Sequence, residues 1–354
     1  MRGPWQRALG DLHRLEVGRV DEAIVELERV LADERRVLGE DHPHTLVTRG
    51  NLAHAYLEVG RVDEAIAEFE ELLVDHRRVL GEDHPHTLTT RDHLARAYLE
   101  VGRVDEAIGE YEQLLADERR VLGEDYPDTL VTRGHLAVAY LEAGRVDEAI
   151  VEFERVLADA RRVLGENHPG TLTTRSNLAV AYRDAGRVDE AIVEFERVLA
   201  DARRVLGEDH PHTLATRGNL AGAYREAGRV DAAIGEFEKL LVDHRRVLGE
   251  DHPHTLTTRD HLAYAYLEVG RVDEAISEYE QLLADARRVL GEDHPHTLTM
   301  RGNLARAYLE VGRVDEAIGE FERVLADARR VLGESHPMIQ TIRDNLKDAK
   351  DDAR

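Results

Sequence analysis

Histidine pairs flanking a proline are the first residues that invite a chemical reading. His42-Pro43-His44 returns around Pro85, Pro211, Pro253 and Pro295, and imidazole is the commonest ligand for transition metals. Two imidazoles do not close a coordination shell, and the copy at Pro127 carries Tyr126 and Asp128 in their place. The pattern reads as a turn leading into a helix, and no metal site is expected. Nucleophilic chemistry has little to work with. The chain has no cysteine, and its serines are confined to Ser176, Ser277 and Ser335, so disulfides, thiolate metal sites and cysteine nucleophiles are excluded. No GxGxxG or Walker-type phosphate loop, no HExxH helix and no GxSxG elbow occurs. Carboxylates abound, but they recur in every repeat as part of a helical pattern that singles out none as a perturbed acid or base. The chain reads as a non-enzyme without a cofactor.

The elements that carry these residues repeat. Gly18, Gly60, Gly102, Gly144, Gly186, Gly228, Gly270 and Gly312 stand 42 residues apart, as do the eight prolines from Pro43 to Pro337. Residues 43–336 form seven 42-residue units, preceded by an imperfect unit at 1–42 and followed by a terminal segment, 337–354. Each unit encodes two amphipathic helices. Leu52, Ala53 and Tyr56 share one face of the first, helix A, and Ala65, Ile66, Phe69, Leu72 and Leu73 share one face of the second, helix B. Pro43 suits the first turn of helix A and Gly60 the left-handed residue that closes it. Asp63 and Glu64 open helix B, and Arg77 and Arg78 lie near its end, both favourable to the helix dipole. No unit can bury its apolar stripe alone, so stacking on neighbours makes the fold.

Composition agrees. A chain of 354 residues with 42% hydrophobic but only 5% aromatic content suits an elongated array better than one compact core. The net charge of −25 disfavours nucleic acid and anionic membrane surfaces, which require a cationic footprint. No apolar stretch is long enough to cross a bilayer, and the N-terminal segment lacks the apolar run of a signal peptide, so a cytoplasmic protein is expected.

The ends differ. Lys347 and Lys350 stand where Ala53 and Tyr56 stand in a unit, which marks the last helix as a solvating cap. Gly10, Asp11 and Arg14 fall where Leu52, Ala53 and Tyr56 would be, so the first helix A is degenerate and its partner, near Val20 to Leu38, is expected to be poorly covered. A longer period is also visible. VDHRRVLGEDHPHTLTTRDHLA occurs at 74–95 and unchanged at 242–263, implying duplication of a four-unit block.

The segment NLAHAYLEVGRVDEAIAEF, with its Leu-Ala-x-x-Tyr, closing glycine, alanine and phenylalanine, resembles the tetratricopeptide signature across essentially the whole chain. That family's unit is about 34 residues, and the added RRVLGEDHPHT resembles the kinesin light chain variety and the repeat arrays of bacterial signalling ATPases. The resemblance implies an all-α chain, a single alpha-alpha superhelix built as a TPR solenoid of antiparallel helix pairs. It further implies a concave face lined by A helices, on which an asparagine ladder pairs with the backbone of an extended peptide. The matching positions are Asn51, Asn177, Asn219, Asn303 and Asn345, with His93, His135 and His261 in three units. A carboxamide both donates and accepts; an imidazole does so when neutral and would add sensitivity to pH.

Three residues further on, the units differ most: His54, Arg96, Val138, Val180, Gly222, Tyr264 and Arg306. These lie one turn along the same face and are the natural specificity positions. Glu58, Glu100, Glu142, Asp184, Glu226, Glu268 and Glu310 would edge the groove and favour a partner bearing lysine or arginine. Arg49 and its copies are expected to pair with glutamates between helices. The function this implies is a protein- or peptide-binding scaffold. The alternatives are self-association into an oligomer or filament, and the sensor portion of a larger signalling ATPase.

Overall fold

In the computed structural model, residues 17–334 and 336–352 are described; Gly10, Asp11 and Arg14, and with them the degenerate first helix, lie outside them. Among the described residues there are sixteen helices and no strand. A lone B helix, α1 (Val17–Val37), comes first. Seven A–B pairs follow: α2 (Pro43–Glu58) with α3 (Val62–Val79), α4 (Pro85–Glu100) with α5 (Val104–Val121), α6 (Pro127–Glu142) with α7 (Val146–Val163), α8 (Pro169–Asp184) with α9 (Val188–Val205), α10 (Pro211–Glu226) with α11 (Val230–Val247), α12 (Pro253–Glu268) with α13 (Val272–Val289), and α14 (Pro295–Glu310) with α15 (Val314–Leu332). A final A helix, α16 (Pro337–Asp352), ends the series. The chain divides into two compact units, Met1–Ala181 and Tyr182–Arg354.

The boundaries follow from local chemistry. In the histidine-proline turns the first imidazole caps the helix that the proline opens: His42 Nδ1 accepts from the His44 amide at 3.2 Å, and His84, His210, His252 and His294 repeat the bond. Helix A ends where Gly60 takes φ of +76°, the Gly60 amide donating to Leu57 O and the Arg61 amide to Tyr56 O, both at 2.9 Å. This double bond to the last turn needs a left-handed residue, which glycine supplies without a Cβ penalty.

Packing is shared between repeats. One cluster joins Ala53 of α2, Ala65, Ile66, Phe69 and Leu73 of α3, and Leu94 and Ala97 of α4. The alanines are completely buried and let the helix backbones approach closely. α1 is covered on its inner face: Val20, Ile24 and Leu31 are buried against Leu52 and Ala55. At the other end Lys350 donates to Glu322 at 2.7 Å, taking the role that Tyr308 fills with Glu280 one repeat earlier.

Each A helix of the seven pairs also buries an arginine. Arg133 donates through Nε to Glu152 (2.7 Å) and through Nη1 to Asp159 (2.8 Å), bridging helix A to its own helix B. Asp159 also accepts from Arg162, which reaches back to Asp125 in the preceding turn. The expected partners of these arginines are thus glutamate and aspartate together.

Candidate functional site

A helices of adjoining repeats touch one another, α4 with α6 and α12 with α14. Ladder and variable positions meet across these neighbouring A helices, His54 with His93 and Tyr264 with Arg306.

The fold treats the ladder residues unequally. His93 is spent on a neighbour: its Nδ1 lies 2.9 Å from His54 Nε2, and both rings pack on Phe69. Burial, and then the nearby His54, push His93 down to about 4, so it stays neutral at ordinary pH. His135 Nδ1 is 2.7 Å from Asp92 Oδ1, and the Asn303 amide donates to Asp260 at 3.3 Å. Asn51, Asn177 and Asn219 have no side-chain hydrogen-bond partner among the described residues and are half-buried. His261 is exposed, its ring 5.6 Å from that of Phe237. Of the variable residues, Arg96 is exposed and Val138 and Val180 half-buried. Tyr264 is held by two cations, with the Arg225 guanidinium 4.9 Å from its ring centre and Arg306 donating to its hydroxyl at 3.0 Å.

The acids one position before the ladder escaped sequence reasoning. Asp92 and Asp260 occupy identical places in the duplicated 22-residue segment, yet their environments oppose each other. Burial raises Asp260, and the Asn303 amide offsets this only in part. Burial works the same way on Asp92, but hydrogen bonding and charge from His135 outweigh it and hold that carboxyl below its usual range. The difference comes from the next repeat, which presents His135 in one case and Asn303 in the other.

A cavity of about 660 Å³ opens between α10 and α12, with α11 beneath it. Asn219, Gly222, Phe237, His244 and His261 line it. Gly222 makes the room, since a Cβ built there meets nothing within 4 Å. Arg183 and Arg225 stand at its edge, where other repeats have Leu57, Leu99, Leu141, Leu267 and Leu309. They lie 3.7 Å from Glu226 and 3.9 Å from Glu268, so the acidic edge is partly offset here. The leucine-to-arginine change was legible in the sequence; it repeats at only two adjacent units and is masked by the variation beside it. Among the described residues no group could hold a metal ion, and no helix is long and apolar enough to cross a membrane.

Comparison with known proteins gives the same architecture. The family model described as tetratricopeptide repeat matches seven overlapping stretches: 4–73, 49–117, 98–158, 128–200, 176–241, 219–284 and 260–330. No curated protein sequence matches the chain. Among solved structures, the nearly identical TPR-like repeats of a kinesin light chain candidate from Podosopora anserina are 34% identical, covering 58% of this chain and 97% of that one, with a TM-score of 0.51. BtubC (BKLC) from P. vanneervenii is 20% identical over 66% of this chain and 94% of its own, with a TM-score of 0.56. A tetratricopeptide repeat protein from Parabacteroides merdae is 13% identical over 86% and 98%, with a TM-score of 0.55, a likeness of fold alone. With the signature matched along nearly its whole length, the chain belongs to the tetratricopeptide repeat family.

Proposed function

We propose that this chain is a non-enzymatic, cytoplasmic scaffold that holds a protein partner as an extended peptide along its A helices. The cavity at Asn219 and Gly222 carries the reading. It is the right size for a side chain and part of its backbone, ligand pockets running to about 300–1,000 Å³, and it sets an unengaged carboxamide beside the space that Gly222 leaves against Phe237. In this reading Asn219 pairs with a peptide group of the ligand, contributing affinity without reading a side chain. One ligand side chain enters the space left by Gly222, against Phe237. The exposed Glu58, Glu100 and Glu142 favour lysine or arginine in ligand residues that pass them.

A peptide-display selection on the whole chain tests this. Peptides sharing a motif should be enriched, Asn219→Ala should weaken them by about 3- to 10-fold, as expected for one hydrogen bond, and Gly222→Leu should abolish binding by filling the cavity. Circular dichroism should be unchanged in both variants. No enrichment on the parent chain, or peptides indifferent to both substitutions, would sink the reading.

A further inference from the structure

The Asn219 cavity has a counterpart three repeats earlier, between α4 and α6, with a volume of about 260 Å³. The framework is the same, but the polar residues are exchanged: Asp92 stands for Gly218, Glu118 for His244, Tyr126 for His252 and Asp128 for His254. A site walled by imidazoles in one place is walled by carboxyls in the other.

Glu118 is the informative residue. It is only 5% exposed, lines this cavity, and its Oε2 has no hydrogen-bond partner; the Thr132 hydroxyl is the neighbour that its carboxyl has. The charged and titratable groups facing it are Asp92 and Arg91 from α4, Asp128 from α6 and the Tyr126 phenol from the turn. Arg91 is committed to Glu110 and Asp117 at 2.5 and 2.7 Å, and Asp92 to His135. No neighbouring cation is therefore left to answer Glu118. The fold does not require an acid here, because Ala160, Ala202, Ala286 and Ala328 fill the same position in other repeats. A buried acceptor without a partner is costly, and an incoming cation would supply what the protein withholds.

We propose that this pocket takes the ammonium of a lysine or the guanidinium of an arginine from the bound peptide, with Glu118 as its acceptor and Asp128 at the rim. The proposal rests on the peptide-scaffold reading and fixes one of its specificities. Burial pushes Glu118 up to about 7. An entering cation would expel that proton to solvent, so binding should strengthen as the pH rises through neutrality.

The test uses the whole chain and N-acetyl-arginine methylamide as the probe, with the uncharged citrulline counterpart as control. The Glu118 carboxyl resonance, identified by its loss in Glu118→Gln, is titrated against pH. The arginine probe should lower its midpoint by at least about one pH unit, a tenfold coupling, and the citrulline compound should leave it in place. A midpoint unmoved by saturating arginine probe, or moved equally by both compounds, overturns the proposal. Peptides selected on the chain but indifferent both to their basic residues and to Glu118→Ala would overturn it while leaving the scaffold reading intact. An arginine-specific shift with no peptide ever enriched would support the pocket and remove the scaffold reading.

Discussion

Single residues set the pH behaviour of this array. His76 and His244 are buried in helix B, each with its Nδ1 3.0 Å from a threonine hydroxyl, Thr90 and Thr258. Burial first, and then the neighbouring histidines, push both down to about 4. Their folded values lie below the unfolded value of about 6.5, so the stability they carry is present above that pH and is lost as pH falls from there towards 4. Each should cost roughly 3 kcal/mol on full acidification. His76→Ala with His244→Ala, which installs the residue of Ala160 and Ala202, should flatten the fall in Tm between pH 7 and 4.5; an unchanged slope would show that other groups control acid unfolding. The identical copies Asp92 and Asp260 show where sequence reading stops at this scale. Residue type was plain, but the direction of each carboxyl's shift depends on His135 or Asn303 in the adjoining repeat. The same holds for the ladder: Asn219 is unengaged, whereas His93 and Asn303 are already bonded to the protein.

Between elements, burial decides what an ion pair is worth. Arg133 is 3% exposed and joins helix A to helix B through Glu152 and Asp159. Arg162 makes a two-pronged pair with Asp125 from a side chain that is 56% exposed. Removing the first takes the cation from between two largely buried carboxylates, and removing the second leaves solvated charges. Arg133→Met should therefore cost about 3 kcal/mol and Arg162→Met far less, as read from urea midpoints of the whole chain. Equal losses would mean that water reaches the Arg133 pair. The helices themselves were legible, because proline, glycine and the 3.6-residue spacing of alanine and leucine each mark a boundary or a face. The cavity was not, because it depends on the absence of a side chain at Gly222 and on two arginines in place of leucines, neither of which disturbs the periodic pattern.

At the scale of the whole molecule the 42-residue period sets both the repeat and the helix pairs, so fold and repeat are one statement. The period distinguishes no repeat from another; the departures do, and Gly222, Arg225 and Glu118 are among those that line a cavity. The central claim is that a peptide lies along the A helices and enters the cavity between α10 and α12. Hydrogen–deuterium exchange of the whole chain, with and without an enriched peptide, tests it most directly. The account predicts slowed exchange confined to the A-helix face, strongest in residues 211–226 and 253–268 and absent in Gly222→Leu. Protection that falls instead on the B helices, or that survives Gly222→Leu unchanged, would contradict it.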